Sequence, residues 1–263
     1  MPAGEGYAHG TLSGVGTVGR FDALASVPGM VHAVTTARSL DPDLVKNDRA
    51  AAARVLADGL GLCGVAVCHQ VHGGRVVLPR QGGIAGEADA LATDRPGLGV
   101  MAISADCPLV LVADRHGRAA GVAHASWRST VKGITGRLID TMRHDLGCDP
   151  GELIACICPS VGPCCYEVGQ DVLHAAKDGL GGEGERFFTA KGGGKYYLDL
   201  WAANAWQLRS AGVQGDSIHC GGVCTICSGD LYCSYRRDGD AAGRFAAVIG
   251  LCGDEETSAG KET

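Results

Sequence analysis

The sequence predicts a domain that mixes β-strands with α-helices around one core, and three observations carry that prediction. First, Ala102 to Lys132, AISADCPLVLVADRHGRAAGVAHASWRSTVK, reads as a hairpin running into a helix. Leu109 to Asp114 and Ala119 to His124 are β-branched or small-residue runs. Arg115, His116, Gly117 and Arg118 between them have the polar, glycine-containing make-up of a tight connection. Second, short strand-like runs are interspersed along the chain with segments of helical period. Third, 263 residues at 46% hydrophobic and 20% charged can bury a sizeable core, and no internal repeat or linker divides it.

Taken in order, residues 1–20 are glycine-rich and expected to be loosely held, ahead of a single domain spanning 21–252. Val31 to Thr36 is a short strand, and Asp48 to Leu60 is a helix with Ala52, Val55, Leu56 and Leu60 on one face. Ala66 to Val71 and Arg75 to Leu78 are strands, with His72, Gly73 and Gly74 where the strand breaks. Gln81 to Glu87 reads as a glycine-rich loop and Leu98 to Ser104 as a strand. After His124 the period changes, and Ile134, Leu138, Met142 and Leu146 recur every four residues up to a stop at Gly147. Leu153 to Cys158 is a strand leading into PSVGPCCYEVG at 159–169, where Gly162 and Pro163 punctuate a helix start that Val168, Val172 and Ala176 continue. Gly181 to Gly194 is expected to be flexible, followed by a helix from about Asp199 to Ala211 ending at Gly212. Strands are expected near Ser217 to Cys220, Leu231 to Tyr235 and Phe245 to Leu251, and 253–263 as a solvated, flexible tail.

A net charge of −6 gives no bulk attraction to nucleic acid or to an anionic membrane, so any phosphate should be bound locally and the partner should be a small molecule. A monomer is expected. The first twenty residues have no apolar core of signal-peptide type, which points to a cytoplasmic location. Thirteen cysteines, an odd number, are then expected as thiols, many of them small core residues.

The hairpin carries the chemistry. With the turn at His116 and Gly117, Leu109 pairs with His124 and Cys107 with Ser126, so Cys107 and His124 finish near each other. His72 at its own strand break completes a set of two imidazoles and one thiolate. That count suits a zinc site with an open fourth position, although each residue taken singly reads first as an ordinary structural side chain. The helix start at Trp127 to Thr130 opens beside this pair as a candidate anion site. Arg128 in its first turn is disfavoured by the helix dipole, which an anionic ligand would explain as well as a surface position does. Asp106, next to Cys107, is a candidate base or support for the metal ligand, or a turn residue. Gln70, Arg236 and Arg237 are candidates for binding a polar substrate, each against a plain surface role. Cys164 and Cys165 at a helix start are best read as packing. HCGGVCTIC at 219–227 has metal-like spacing in His219, Cys220, Cys224 and Cys227, and Cys224 is read mainly as packing near the site.

HQVHG at 69–73, ADALATDRPGL at 88–98, SADCPLVLVAD at 104–114, HASWRS at 124–129, GPCCYEVG at 162–169, LDL at 198–200 and SYRRDG at 234–239 together resemble the YfiH family, once called multicopper polyphenol oxidase or laccase-domain proteins. The resemblance covers roughly residues 20 to 252. It implies an α+β fold with mixed β-sheets packed centrally and helices outside. It implies a zinc-dependent purine nucleoside phosphorylase acting on adenosine, inosine, guanosine and methylthioadenosine, with adenosine deaminase activity, and His72, Cys107 and His124 as the zinc ligands. Ser126 and Ser129 stand where the family usually has glycines, so backbone approach to a ligand is expected to be tighter here. Two other activities attach to the resemblance: editing of cell-wall precursors and copper-dependent oxidation of phenols. Two histidines and a cysteine match a blue-copper ligand set, but the nine histidines include no HxH pair for a multi-copper cluster.

Overall fold

In the computed structural model, which describes Gly4 and residues 6–253, two large sheets pack face to face. In chain order the strands are β1 (Tyr7–Leu12), β2 (Gly16–Phe21), β3 (Met30–Thr35), β4 (Gly64–His69), β5 (Val76–Val77), β6 (Gly83–Glu87), β7 (Ala90–Thr93), β8 (Leu98–Ser104), β9 (Leu109–Asp114), β10 (Ala120–His124), β11 (Leu153–Ile157), β12 (Glu167–Gly169), β13 (Phe188–Gly192), β14 (Lys195–Leu198), β15 (Ile218–Cys220) and β16 (Phe245–Leu251). One sheet has the order β1-β2-β3-β16-β8-β4-β6, the other β15-β11-β9-β10-β7-β5, and a small sheet has β12-β14-β13. Both large sheets are mixed: β4 runs parallel to β6 and β8, and β11 parallel to β15, while β9 is antiparallel to β10 and β11.

Phe21, Val34, Ala66 and Val100 of the first sheet meet Leu109, Leu111, Val122 and Cys156 of the second in one buried cluster. Outside the first sheet lies the helix Arg49–Leu60, whose Ala52, Leu56 and Leu60 pack on Val65, Met101 and Val248. Asp48 starts that helix by accepting the Ala51 N–H, and Gly61 at φ 67° ends it. Outside the second sheet lie the helices Ile134–Asp145 and Leu200–Ser210. The layers are therefore helix, sheet, sheet, helix, which is the expected α+β class with mixed sheets in the centre. Strands covered on both faces need no polar face, so β9 and β10 are buried throughout and read as continuous apolar runs.

The hairpin register is the expected one, with Leu109 opposite His124. Gly117 makes the turn possible: its φ is 70°, and a Cβ there would lie 2.1 Å from the Pro28 carbonyl oxygen. Beyond His124 the single expected helix is two, Trp127–Val131 and Ile134–Asp145, parted by Gly133 in the left-handed region. Leu138 and Met142 of the longer helix sit on Gly121 of β10 and are fully buried, each contributing about 1.5–3 kcal/mol by leaving water.

Several local expectations need correcting. Of the segment 1–20, residues 7–20 are not loose, while 1–3 and 5 lie outside the described residues. β1 and β2 form a hairpin that joins the first sheet through β3, and Tyr7 Oη lies 2.6 Å from Tyr232 Oη. Four glycines at positions 10, 14, 16 and 19 hid its alternation, and Gly19 leaves the space that the Tyr7 ring fills. Within 81–87, Gly83–Glu87 is strand β6, and Ala90–Thr93, read as no element from the sequence, is β7. No helix starts at 162–163. Cys165 and Tyr166 both donate to the Gly162 carbonyl in a turn, Val168 pairs with Tyr196 in β12, and the helix begins only at Gln170. The 181–194 segment holds a 3-10 turn and strand β13, whereas 231–234 forms no strand. Of the expected tail 253–263, all but Gly253 lies outside the described residues. Among the described residues no helix is long and apolar enough to cross a membrane.

Candidate functional site

The two large sheets are joined by the segment 105–108, which carries the chain from β8 in one to β9 in the other. Cys107 lies in that crossing, His72 in the loop after β4, and His124 at the end of β10. The fold thus brings together the three residues expected as ligands from both sheets. Their donor atoms lie within 4.8 Å of one another, and the two imidazole rings are 5.1 Å apart, edge to face.

Asp89, which sequence reasoning missed, organises the trio. Its Oδ1 accepts from His124 Nδ1 (2.9 Å) and from the His72 backbone N–H (3.0 Å). Its Oδ2 accepts from the N–H groups of Val71 (3.1 Å) and Gly73 (2.6 Å), and its carbonyl accepts from the His124 N–H at 2.7 Å. Holding Nδ1 leaves His124 Nε2 for the cluster, and holding three successive N–H groups lets His72 keep a φ of 55°. The available signal was one acid among the small residues of ADALA, since a buried carboxylate is rare unless paired. Burial alone would raise the Asp89 carboxyl, but His124 and the Gly73 and Val71 N–H groups hold it below its ordinary value.

Burial likewise pushes the Cys107 thiol up, yet hydrogen bonds and charge from His124 and His72 outweigh it and bring it down to about 7. His124 is pulled down by burial but raised further, to about 9, by Asp89 and Cys107. The pair therefore leans toward thiolate and imidazolium, and a cation that replaces the shared proton would find its sulfur donor ready.

The other expected residues fall in place unequally. Asp106 has φ 97°, held there by three bonds: its carboxylate accepts from Thr225 Oγ1 and the Arg236 N–H, each at 2.6 Å, and its carbonyl from the Val161 N–H. Gln70 lines the cleft, with its carboxamide paired on both sides to the Ile103 backbone at 2.8 and 2.9 Å. Arg128 stacks over Trp127, 4.4 Å from the ring centre, at the start of a five-residue helix that Ser126 Oγ caps by accepting the Ser129 N–H. Arg236 lies over the Tyr166 ring at 5.1 Å and donates to the Glu167 carbonyl. The Arg237 guanidinium is occupied by the carbonyls of Thr225, Gly229 and Tyr232 and by Asp238.

A cleft of about 350 Å³ opens on the three candidate ligands, lined also by Gln70, Ser104, Tyr235 and by two cations not foreseen from the sequence, Arg49 and Arg244. Their place in the cleft depends on contacts with the Cys68 carbonyl and with the 242–243 carbonyls, which no local pattern announces.

Fold and site together define an α+β protein with a candidate metal site of two histidines and one cysteine in a basic cleft. The family model described as multi-copper polyphenol oxidoreductase laccase matches residues 30–252, and the chain belongs to that family. It is 40% identical over 214 residues to a purine nucleoside phosphorylase of Deinococcus radiodurans, covering 81% of this chain and 80% of the relative. It is 35% identical over 194 residues to the purine nucleoside phosphorylase YlmD of Geobacillus stearothermophilus, covering 70% of each. The crystal structure of that organism's YlmD superposes with a TM-score of 0.81 at 29% identity, over 89% of this chain and 96% of the other. The crystal structure of the Bacillus licheniformis hypothetical protein YfiH does so at 0.78 and 26% identity, with the same coverage.

Proposed function

We propose that this chain is a zinc-dependent purine nucleoside phosphorylase that cleaves adenosine, inosine, guanosine and methylthioadenosine with phosphate, and that it also deaminates adenosine. The observation that carries the reading is the His72, Cys107 and His124 triad opening onto a cleft of substrate size with guanidinium groups in its wall. The relatives' names supply the substrate class. The donor set fits zinc: one thiolate and two imidazoles, one of them held through its other nitrogen by a carboxylate, leave a tetrahedral ion one open position. Zinc bound there would supply a Lewis acid that polarises an electronegative atom of the substrate.

Phosphorolysis forms a bond from a phosphate oxygen to the anomeric carbon as the bond from that carbon to the base nitrogen breaks. Positive charge builds on the sugar and negative charge on the departing base. Cations must therefore bind the phosphate dianion. Arg49 and Arg244 in the cleft wall do this in our reading, joined by Arg128 at the start of the helix after His124 and by Arg236 over the Tyr166 ring. Asp106 and Gln70 have their polar atoms occupied, so they position the Cys107 segment and the cleft wall. Copper oxidation of phenols is disfavoured by ligand supply. Among the described residues the two groups able to share an ion hold two histidines and none.

Deamination uses water and no phosphate, so products separate the chemistries. Adenosine supplied with and without phosphate should give ribose phosphate only in the first case and inosine in both. Arg244→Ala or Arg128→Ala should weaken the phosphate-dependent product roughly tenfold to a hundredfold, for ~1.5–3 kcal/mol of lost charge-assisted contact, while sparing deamination. Wild-type protein that releases no ribose phosphate would remove the phosphorylase reading.

A further inference from the structure

The cysteines at 219–227 group differently in space than in sequence. His219 and Cys220 belong to β15, where Cys220 is a core thiol that burial pushes up to about 11. Cys224 and Cys227 instead meet Cys164 and Cys165 from the 159–166 turn, and the four sulfurs all lie within 4.8 Å of one another. We propose that these four cysteines form a second, closed site that holds a zinc ion as four thiolates and ties together the two loops that position Asp106 beside Cys107.

The spacing suits a shared ion better than a bridge. A tetrahedral ion with Zn–S of ~2.3 Å sets its sulfurs ~3.8 Å apart. Cys227 Sγ lies 3.4 Å from Cys165 Sγ and 3.6 Å from Cys164 Sγ, so it faces two partners and singles out neither for a disulfide. The backbone also prepares a thiolate. The Gly162 N–H donates to Cys224 Sγ at 3.3 Å, and the N–H groups of Cys227 and Ile226 point to the same sulfur. C-x-x-C in one loop and C-C in the other give two ligands from each side, and Ser160 bridges to Cys224 between them. Binding displaces thiol protons to solvent and changes no oxidation state.

The same two loops hold Asp106 from both sides. Val161, three residues before Cys164, donates to its carbonyl, and Thr225, next to Cys224, donates to its carboxylate. Arg237 then ties 225 to 229 and 232. An ion at the four sulfurs clamps this arrangement about the crossing that carries Cys107.

Elemental analysis of the full chain purified under reducing conditions should find two zinc ions per chain. Cys227→Ser or Cys165→Ser should leave one, and His124→Ala should leave the other one. Cobalt in place of zinc in the His124→Ala protein should show the intense sulfur-to-metal absorption of a four-thiolate centre. Should the cysteine variants fail to fold, wild type still decides: Cys164, Cys165, Cys224 and Cys227 should resist alkylation in the native protein until a chelator strips the metal. Wild-type zinc that is all retained in the Cys227→Ser protein, or free alkylation of all four thiols in the native chain, would overturn the site.

Discussion

Four hydrogen bonds converge on the Asp89 carboxylate, and a fifth on its carbonyl, although it touches no substrate in this account. Asp89→Asn keeps the shape but sets an NH₂ against donors that need an acceptor. It should weaken zinc affinity at the triad by roughly ten to a hundredfold in a competition titration. Wild-type affinity would show that His124 orients itself without help. Asp114 presents the same chemistry away from the site. Its side chain is wholly buried, and Arg118 meets it with two bonds of 3.0 and 2.7 Å while the His116 N–H donates a third at 2.9 Å. Burial would raise its carboxyl, but Arg118 and the His116 N–H hold it below its ordinary 3.8. A depressed folded pKa means that the stabilisation is fully present above the unfolded value and is lost as pH falls through the folded one. The stability gap between wild type and Asp114→Asn, from urea unfolding, should therefore be largest above about pH 5 and shrink steadily in more acid solution.

Elements were legible where side-chain period was strong. The buried hairpin β9 and β10, the helix Arg49–Leu60 and strand β16 all stand within a residue or so of their expected places. They failed to show where glycine or long-range pairing decided the matter. The β1 and β2 hairpin is masked by residues without side chains. Val168, by its spacing from Val172, reads as part of a helix but pairs with Tyr196, far along the chain. The four-cysteine cluster spans about sixty residues of sequence, so local spacing pointed to His219 and Cys220 instead. The helix Ile134–Asp145 matters to the site because it backs β10, whose last residue is His124. Leu138→Ala should cost about 2–5 kcal/mol in denaturant unfolding, since Gly121 beneath it leaves no side chain to fill the space. A loss below about 1 kcal/mol would mean that the helix resettles on the sheet.

At the scale of the whole molecule, the site sits where one sheet hands the chain to the other, so an ion at His72, Cys107 and His124 would link both layers. The grouping of the three candidate ligands could be read from hairpin register and family resemblance. Asp89, Arg49 and Arg244 could not, because their roles arise from contacts between separate segments of chain. The central claim is that turnover depends on the ion held by this trio. The most direct measurement compares wild type with Cys107→Ser for zinc content and for phosphate-dependent release of ribose phosphate from inosine on the same samples. The account predicts that the variant loses one zinc per chain and its ribose phosphate release together. A Cys107→Ser protein that keeps its full zinc, or that loses it and still cleaves inosine at the wild-type rate, would contradict it.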